Sequence, residues 1–188
     1  MKKLLLVATV LILSSFLLVG CGGGDKPESN LPDWIDNPSL EGGISASGSA
    51  KVGPAGRNFA KTEASAQARD EIARQLGVKV KNMVKSFVQV SGVGDDQAVD
   101  KASSQVSKQV SSQLLNGSKV TKVFYDRASK ELFVLVVLDP AALANAQTAM
   151  KKAVKGSFKN NRALWQQFQA KRADKDLDKE IEKEFGMK

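Results

Sequence analysis

The chain carries one cysteine, Cys21, and no histidine among its 188 residues. Nucleophilic systems of the Ser/His/Asp or Cys/His type need an imidazole to move the proton, so they are excluded. The commonest zinc ligand goes with it, and carboxylates alone are a poor zinc set. No Ser-x-x-Lys spacing occurs. Gly92-Val93-Gly94 is followed by Asp95-Asp96, which repel a phosphate rather than cradle it. Glycoside cleavage needs two carboxylates about 5–10 Å apart, one with a raised pKa. Asp95 and Asp96 are neighbours in a predicted loop, and Glu63, Asp70 and Glu71 fall on a predicted helix, so all read as solvated surface acids. Two acids without a third spaced carboxylate also make a poor calcium site. The expectation is a chain that is not an enzyme, with no cofactor and no metal. What chemical character remains is cationic: 28 Lys and Arg against 20 acids give a formal charge of +8.

The lone cysteine has a context. Met1-Lys2-Lys3 is a short basic start, and Leu4 to Leu18 is apolar except for Thr9, Ser14 and Ser15. A secretory signal peptide has this form. The run falls short of the roughly 20 residues a bilayer span needs, and glycines rather than basic residues follow it. Leu18-Val19-Gly20-Cys21 resembles a bacterial lipobox. The resemblance implies cleavage between Gly20 and Cys21, a diacylglycerol on the Cys21 thiol and acylation of the new amine. A thioether has no thiolate, so Cys21 does no nucleophilic chemistry. Gly22 stands where enteric inner-membrane lipoproteins carry Asp, which points to the outer membrane. Losing Lys2 and Lys3 leaves 26 basic residues against 20 acids, a charge of +6. An exported basic chain meets anionic headgroups, lipopolysaccharide or cell-wall polymer; nucleic acid is not expected.

Past the cysteine, residues 21–41 read as a flexible tether, rich in Gly, Pro, Asp and Asn, with one apolar pair, Trp34-Ile35, inside "LPDWIDNP". Residues 43–52, "GISASGSAKV", alternate small apolar residues with Ser and Lys and predict a strand. Residues 57–76 predict a helix with Ala60, Ala64, Ala68, Ile72 and Leu76 on one stripe, widened by Phe59, Ala66 and Ala73. Gly77 is expected to end it. Residues 78–90 then read as a long strand, with Val78, Val80, Val84, Val88 and Val90 on one face and Lys79, Lys81, Met83, Lys85, Phe87 and Gln89 on the other. The Lys79, Lys81, Lys85 row has two readings: charges that deter edge pairing, or a patch for an anionic surface, joined by Lys51 and Lys119 if their strands are neighbours. Residues 97–115 predict a helix, 119–139 a hairpin whose second strand is central because it is apolar on both faces, and Pro140 opens a helix to Lys155.

The end of the chain repeats: "DKDL DKEI EKEF" places Leu177, Ile181 and Phe185 in one row. This segment is either a helix docked on its own domain or an arm for another subunit. Phe158, Trp165 and Phe168 are its better anchors, and Trp34, Trp165 and Phe168 are the candidate partner contacts.

The assembled order resembles the bacterial membrane-associated 20-kilodalton lipoprotein family, which includes a Helicobacter surface antigen and a flagellar basal-disk lipoprotein. The residues that carry the likeness are the lipobox, "PDWIDNP", "GISASGSA", "ARDEIARQLGVKV" and "LFVLVVLD", over about Leu31 to Asp139. The resemblance implies an α+β domain with helices on an antiparallel or mixed sheet, outer-membrane attachment and no catalytic residues. Together with the strand segments above, the expected fold is α+β: about four strands in an antiparallel or mixed sheet, helices packed on one face, and a C-terminal helical extension. The expected organisation is a signal peptide (1–20), tether (21–41), lipoprotein domain (42–155) and charged extension (156–188). The expected function is a non-enzymatic envelope or flagellum-associated scaffolding module at the outer membrane, or else an accessory lipoprotein that binds peptidoglycan or a wall synthase. Expected partners are the membrane through the lipid, copies of itself, and envelope or flagellar proteins or peptidoglycan.

Overall fold

A computed structural model describes residues 31–39, 43–138 and 140–185. A short 3-10 turn (Asp33–Ile35) precedes β1 (Ile44–Lys51), α1 (Gly56–Ser91), α2 (Asp96–Leu115), β2 (Lys119–Asp126), β3 (Glu131–Leu138), α3 (Pro140–Lys159), α4 (Arg162–Ala170) and α5 (Asp174–Phe185). The sheet has three antiparallel strands in the order β1-β3-β2. The fold is mixed α+β and mostly helical. The strand expected to be central is central: Leu132, Val134 and Val136 line one face of β3, and Leu135 is buried on the other.

The fourth expected strand does not exist. Residues 78–90 continue α1, a helix of 36 residues that runs about 54 Å at 1.5 Å per residue. Two signals misdirect the sequence reading here. The valines suggest a strand because β-branched residues favour one, but the buried positions Leu76, Val80, Met83, Val84, Phe87 and Val88 recur at three and four, the helical spacing. Val78 and Val90, which a strand would place beside Val80 and Val88, are 61% and 62% exposed. Gly77 sits mid-helix, where packing outweighs the cost of about 0.5–1 kcal/mol that glycine carries there. The glycine that does end α1 is Gly92, with φ 62° and its N–H on the Val88 carbonyl. Phe59 and Ala66 also fall off the buried stripe and are exposed.

The buried stripe of α1 grades from small to large. Ala60, Ala64 and Ala68 lie on the sheet; Met83 and Phe87 lie among helices. Opposite the alanines is Gly48, where an added Cβ would stand 2.2 Å from the Ala64 carbonyl oxygen. Helix and strand touch backbone to backbone. The free edge of β1 is closed by the same helix: the Ser49 N–H donates to Gln67 Oε1 at 2.9 Å, and Gln75 Nε2 donates to the Ser45 carbonyl at 3.4 Å. An unpaired edge is thereby covered.

The helices pack on the face that carries Ala46 and Val136. The other face carries Ser47, Leu135 and Phe133, and the 3-10 turn packs there on β1 and β3. Ser47 Oγ donates to the Ile35 carbonyl at 2.7 Å, and Ile35 is buried. Residues 33–35 of the expected tether are therefore held against the sheet. At the C-terminal end, α4 and α5 share the core of the rest. Leu177, Ile181 and Phe185 are buried in the same apolar cluster as α1, so the segment docks on its own domain. Phe87 meets Phe158 edge-on at 5.7 Å and Phe168 at 5.9 Å.

Candidate functional site

Cys21 and the Gly20–Cys21 cleavage point lie outside the described residues. Among the described residues, no helix is long and apolar enough to cross a membrane, and no three His, Cys, Asp or Glu side chains gather as metal ligands.

Of the acids weighed in the sequence, Asp95 and Glu71 are engaged structurally, while Glu63, Asp70 and Asp96 are exposed. Asp95 is the N-cap of α2 and accepts from the Ala98 N–H at 2.8 Å. Such a cap satisfies an otherwise unpaired helix N–H. Glu71 accepts from Arg74 and Gln75 on its own helix face, and these hydrogen bonds hold its pKa below the ordinary carboxylate value. Asp126 accepts from Ala128 and Ser129 and fixes the hairpin turn. Glu131 receives the Ser49 hydroxyl at 2.7 Å and the Lys51 ammonium at 3.0 Å. Those contacts, the Ser49 bond foremost, lower the Glu131 pKa from its usual 4.5. A group whose folded pKa is depressed stabilises the fold above its unfolded pKa, and that contribution is lost as pH falls through the folded value. Glu131→Gln should therefore lower the melting temperature slightly at pH 7, by less than about 1 kcal/mol in free energy for so accessible a pair. The difference from wild type should shrink as the pH falls below the usual 4.5 and vanish once the depressed folded pKa is passed. A difference that grows on acidification would show that Glu131 is not held ionised.

The row of lysines is broken, since the segment that bears it is helical: Lys81 and Lys85 stay one turn apart, and Lys79 faces another side. Lys79 turns back onto the C-terminus: its Nζ donates to the Glu184 carbonyl at 3.0 Å and lies 5.7 Å from the Phe185 ring. Lys81 pairs with Asp100 of α2 at 3.3 Å. Lys85 is exposed. Lys51, on β1, pairs with Glu131 of β3, and β3 separates β1 from Lys119 on β2. No patch of these five forms. Of the aromatic candidates, Trp34 is half-buried in the 3-10 turn, and Phe168 is buried in the core. Trp165 is half-buried, stacked on Phe168 at 5.2 Å with the Lys159 ammonium 4.8 Å from its ring.

The cationic groups that do gather lie on α3, where the sequence reading singled out Pro140 and Phe158 but no lysine. Lys151, Lys155 and Lys159 recur at four, with Lys152 beside them, and that spacing was the available signal. Lys151 pairs with Asp178 at 2.6 Å and Lys155 with Asp174, so two of the four fasten α5. Lys152 and Lys159 are exposed. They border a groove between α2 and α3. One cleft, of about 330 Å³, lies between the start of α2 and the end of α3 and has Gln97, Lys101 and Gln105 on one wall. The next, of about 630 Å³, has Gln109 and Gln113 facing Lys152 and Lys159.

A search of curated proteins returns no match. A family model does match: that of the LPP20 lipoproteins, over residues 32–139. The match starts at the 3-10 turn segment, takes in all three strands with α1 and α2, and stops before α3. It covers more than half of the 188 residues, and the chain belongs to the LPP20 lipoprotein family.

Proposed function

We propose that this protein is a non-enzymatic lipoprotein of the outer membrane, anchored through acylated Cys21, whose domain acts as a structural or interaction module of the envelope. The observation that carries the reading is the lipoprotein-family match, beginning eleven residues beyond a cysteine set in a lipobox. Gly22 in the position after that cysteine supports the outer rather than the inner membrane. The engagement of Asp95, Asp126 and Glu131 in caps, turns and strand contacts supports a binding rather than a catalytic role. Assembly with copies of itself or with envelope or flagellar proteins is part of this reading.

Cys21→Ala tests the anchor. The variant should lose labelled-fatty-acid incorporation almost completely and leave the membrane fraction. Wild type should band with the outer membrane on a density gradient. Retention of label and of membrane association in the variant would sink the proposal. Banding of wild type with the inner membrane would overturn the outer-membrane assignment alone.

A further inference from the structure

Two clefts lie in line along the seam between α2 and α3, with polar and cationic side chains at the rim of each and small apolar residues beneath. Gln97, Lys101, Gln105, Gln109 and Gln113 recur every fourth residue along α2. A four-residue period drifts around a helix, but the buried stripe of α2 (Ala98, Ala102, Val106, Val110, Leu114) drifts with it. The polar row therefore stays on one flank of the packed face for its whole length, about 24 Å at 1.5 Å per residue. The facing helix α3 runs the other way, so the first cleft reaches Asn160 and the second Thr148. Its floor is low because the residues there are small, among them Ala102, Ala149, Ala153 and Gly156.

The chemistry of the walls selects a ligand class. Lys101, Lys152 and Lys159 supply positive charge. The lining acid, Asp95, is the α2 cap. Each glutamine offers a carbonyl acceptor and two N–H donors, which suits a ligand bearing amide and hydroxyl groups along its length. A lipid surface is a worse fit. It needs apolar side chains to insert, and the exposed large ones, Phe59, Val78, Val90 and Val123, lie elsewhere. We propose that the α2–α3 groove binds an extended, carboxylate-bearing glycopeptide polymer, the chemistry of peptidoglycan. This rests on the reading of the chain as an exported lipoprotein and names the partner its domain takes; the anchored domain would then link membrane and wall.

The test uses the full chain, purified in detergent and sedimented with isolated sacculi. Wild type should pellet. Gln105→Ala with Gln109→Ala, which leaves the charge unchanged, should weaken binding about fivefold. Lys101→Glu with Lys152→Glu should weaken it tenfold or more. Lys61→Glu with Arg127→Glu, an equal charge change at exposed positions outside the groove, should stay within twofold of wild type. No pelleting of wild type, no effect of the glutamine pair, or equal losses in the two charge-reversed pairs would each overturn the proposal. Displacement by phosphatidylglycerol micelles but not by soluble peptidoglycan fragments would overturn it in favour of a lipid site. Should a groove variant melt early, hydrogen exchange on wild type decides: soluble fragments should slow exchange at residues 101–113 and 148–159, and unchanged exchange would refute the site. Acylation of Cys21 is measured separately in cells, so a failed anchor and a failed groove give different results.

Discussion

Gly48→Ala is expected to cost about 3 kcal/mol of stability, the upper end of the usual range for overpacking. In a domain of this size that corresponds to a fall in melting temperature of roughly 6–12 °C. The added Cβ would stand 2.2 Å from the Ala64 carbonyl oxygen and 2.8 Å from the Ala68 amide nitrogen. Both obstacles are helix backbone, so no side-chain rotation relieves them. α1 must move off the sheet, which opens the contact that Ala60, Ala64 and Ala68 make along β1. Trimming the partner does not help: Ala64→Gly removes a methyl group and leaves the obstructing oxygen in place, so the double variant should be no more stable than Gly48→Ala. Gly53→Ala is the control, since a Cβ there meets nothing within 4 Å. Urea midpoints of the four proteins check this; a Gly48→Ala midpoint equal to that of Gly53→Ala would mean that helix and strand are not in backbone contact.

Phe87→Ala should cost about 3–5 kcal/mol, the usual loss when a fully buried phenylalanine is truncated. Phe87 has no exposed surface, and its ring meets Phe158 of α3 and Phe168 of α4. One truncation thus loosens three helices at once. Its effect should be local before it is global: α4 and α5, the last elements of the chain, should become sensitive to protease under conditions where β1 and β3 stay protected. Val90→Ala, at a position 62% exposed on the same helix, should fall within about 0.5 kcal/mol of wild type. Comparable losses at the two positions would show that the aromatic cluster does not hold the C-terminal helices.

Much of the fold is legible in the sequence where period and punctuation agree. The strict alternation of 43–52 gives β1. The doubly apolar run 132–138 gives the central strand, and Pro140 opens a helix as its fixed φ allows. The reading fails where they disagree. Gly77 and the surrounding valines each argue locally for a break and a strand, and both are overruled by the helical recurrence of Leu76, Val80, Met83 and Phe87, which pays off only once α2 and α5 are there to bury it. The same misreading fused Lys79 with Lys81 and Lys85 into one surface, whereas on a helix Lys81 and Lys85 stay one turn apart and Lys79 turns to another side. The α2–α3 groove was out of reach for another reason. Its two walls are separated by the whole hairpin, and the four-residue spacing of the lysines, though visible, does not say what stands opposite them until tertiary packing brings the glutamine row there.

The docking of the 3-10 turn has a mechanical meaning. Nine residues, and so ten residue steps, lie between Cys21 and Leu31, a covalent span of at most about 33–36 Å. Tension arriving from that side first reaches Ile35, clasped by Ser47 and seated on the sheet, and only afterwards β1. β1 in turn is joined to β3 by eight register pairs, from Ile44↔Leu138 to Lys51↔Glu131. Hydrogen bonds in an antiparallel ladder lie across the strand direction, so a pull along β1 loads them together in shear rather than one after another. The small turn is the expendable link: it can yield and re-form under a tug while the sheet, and the helices on its far face, stay folded.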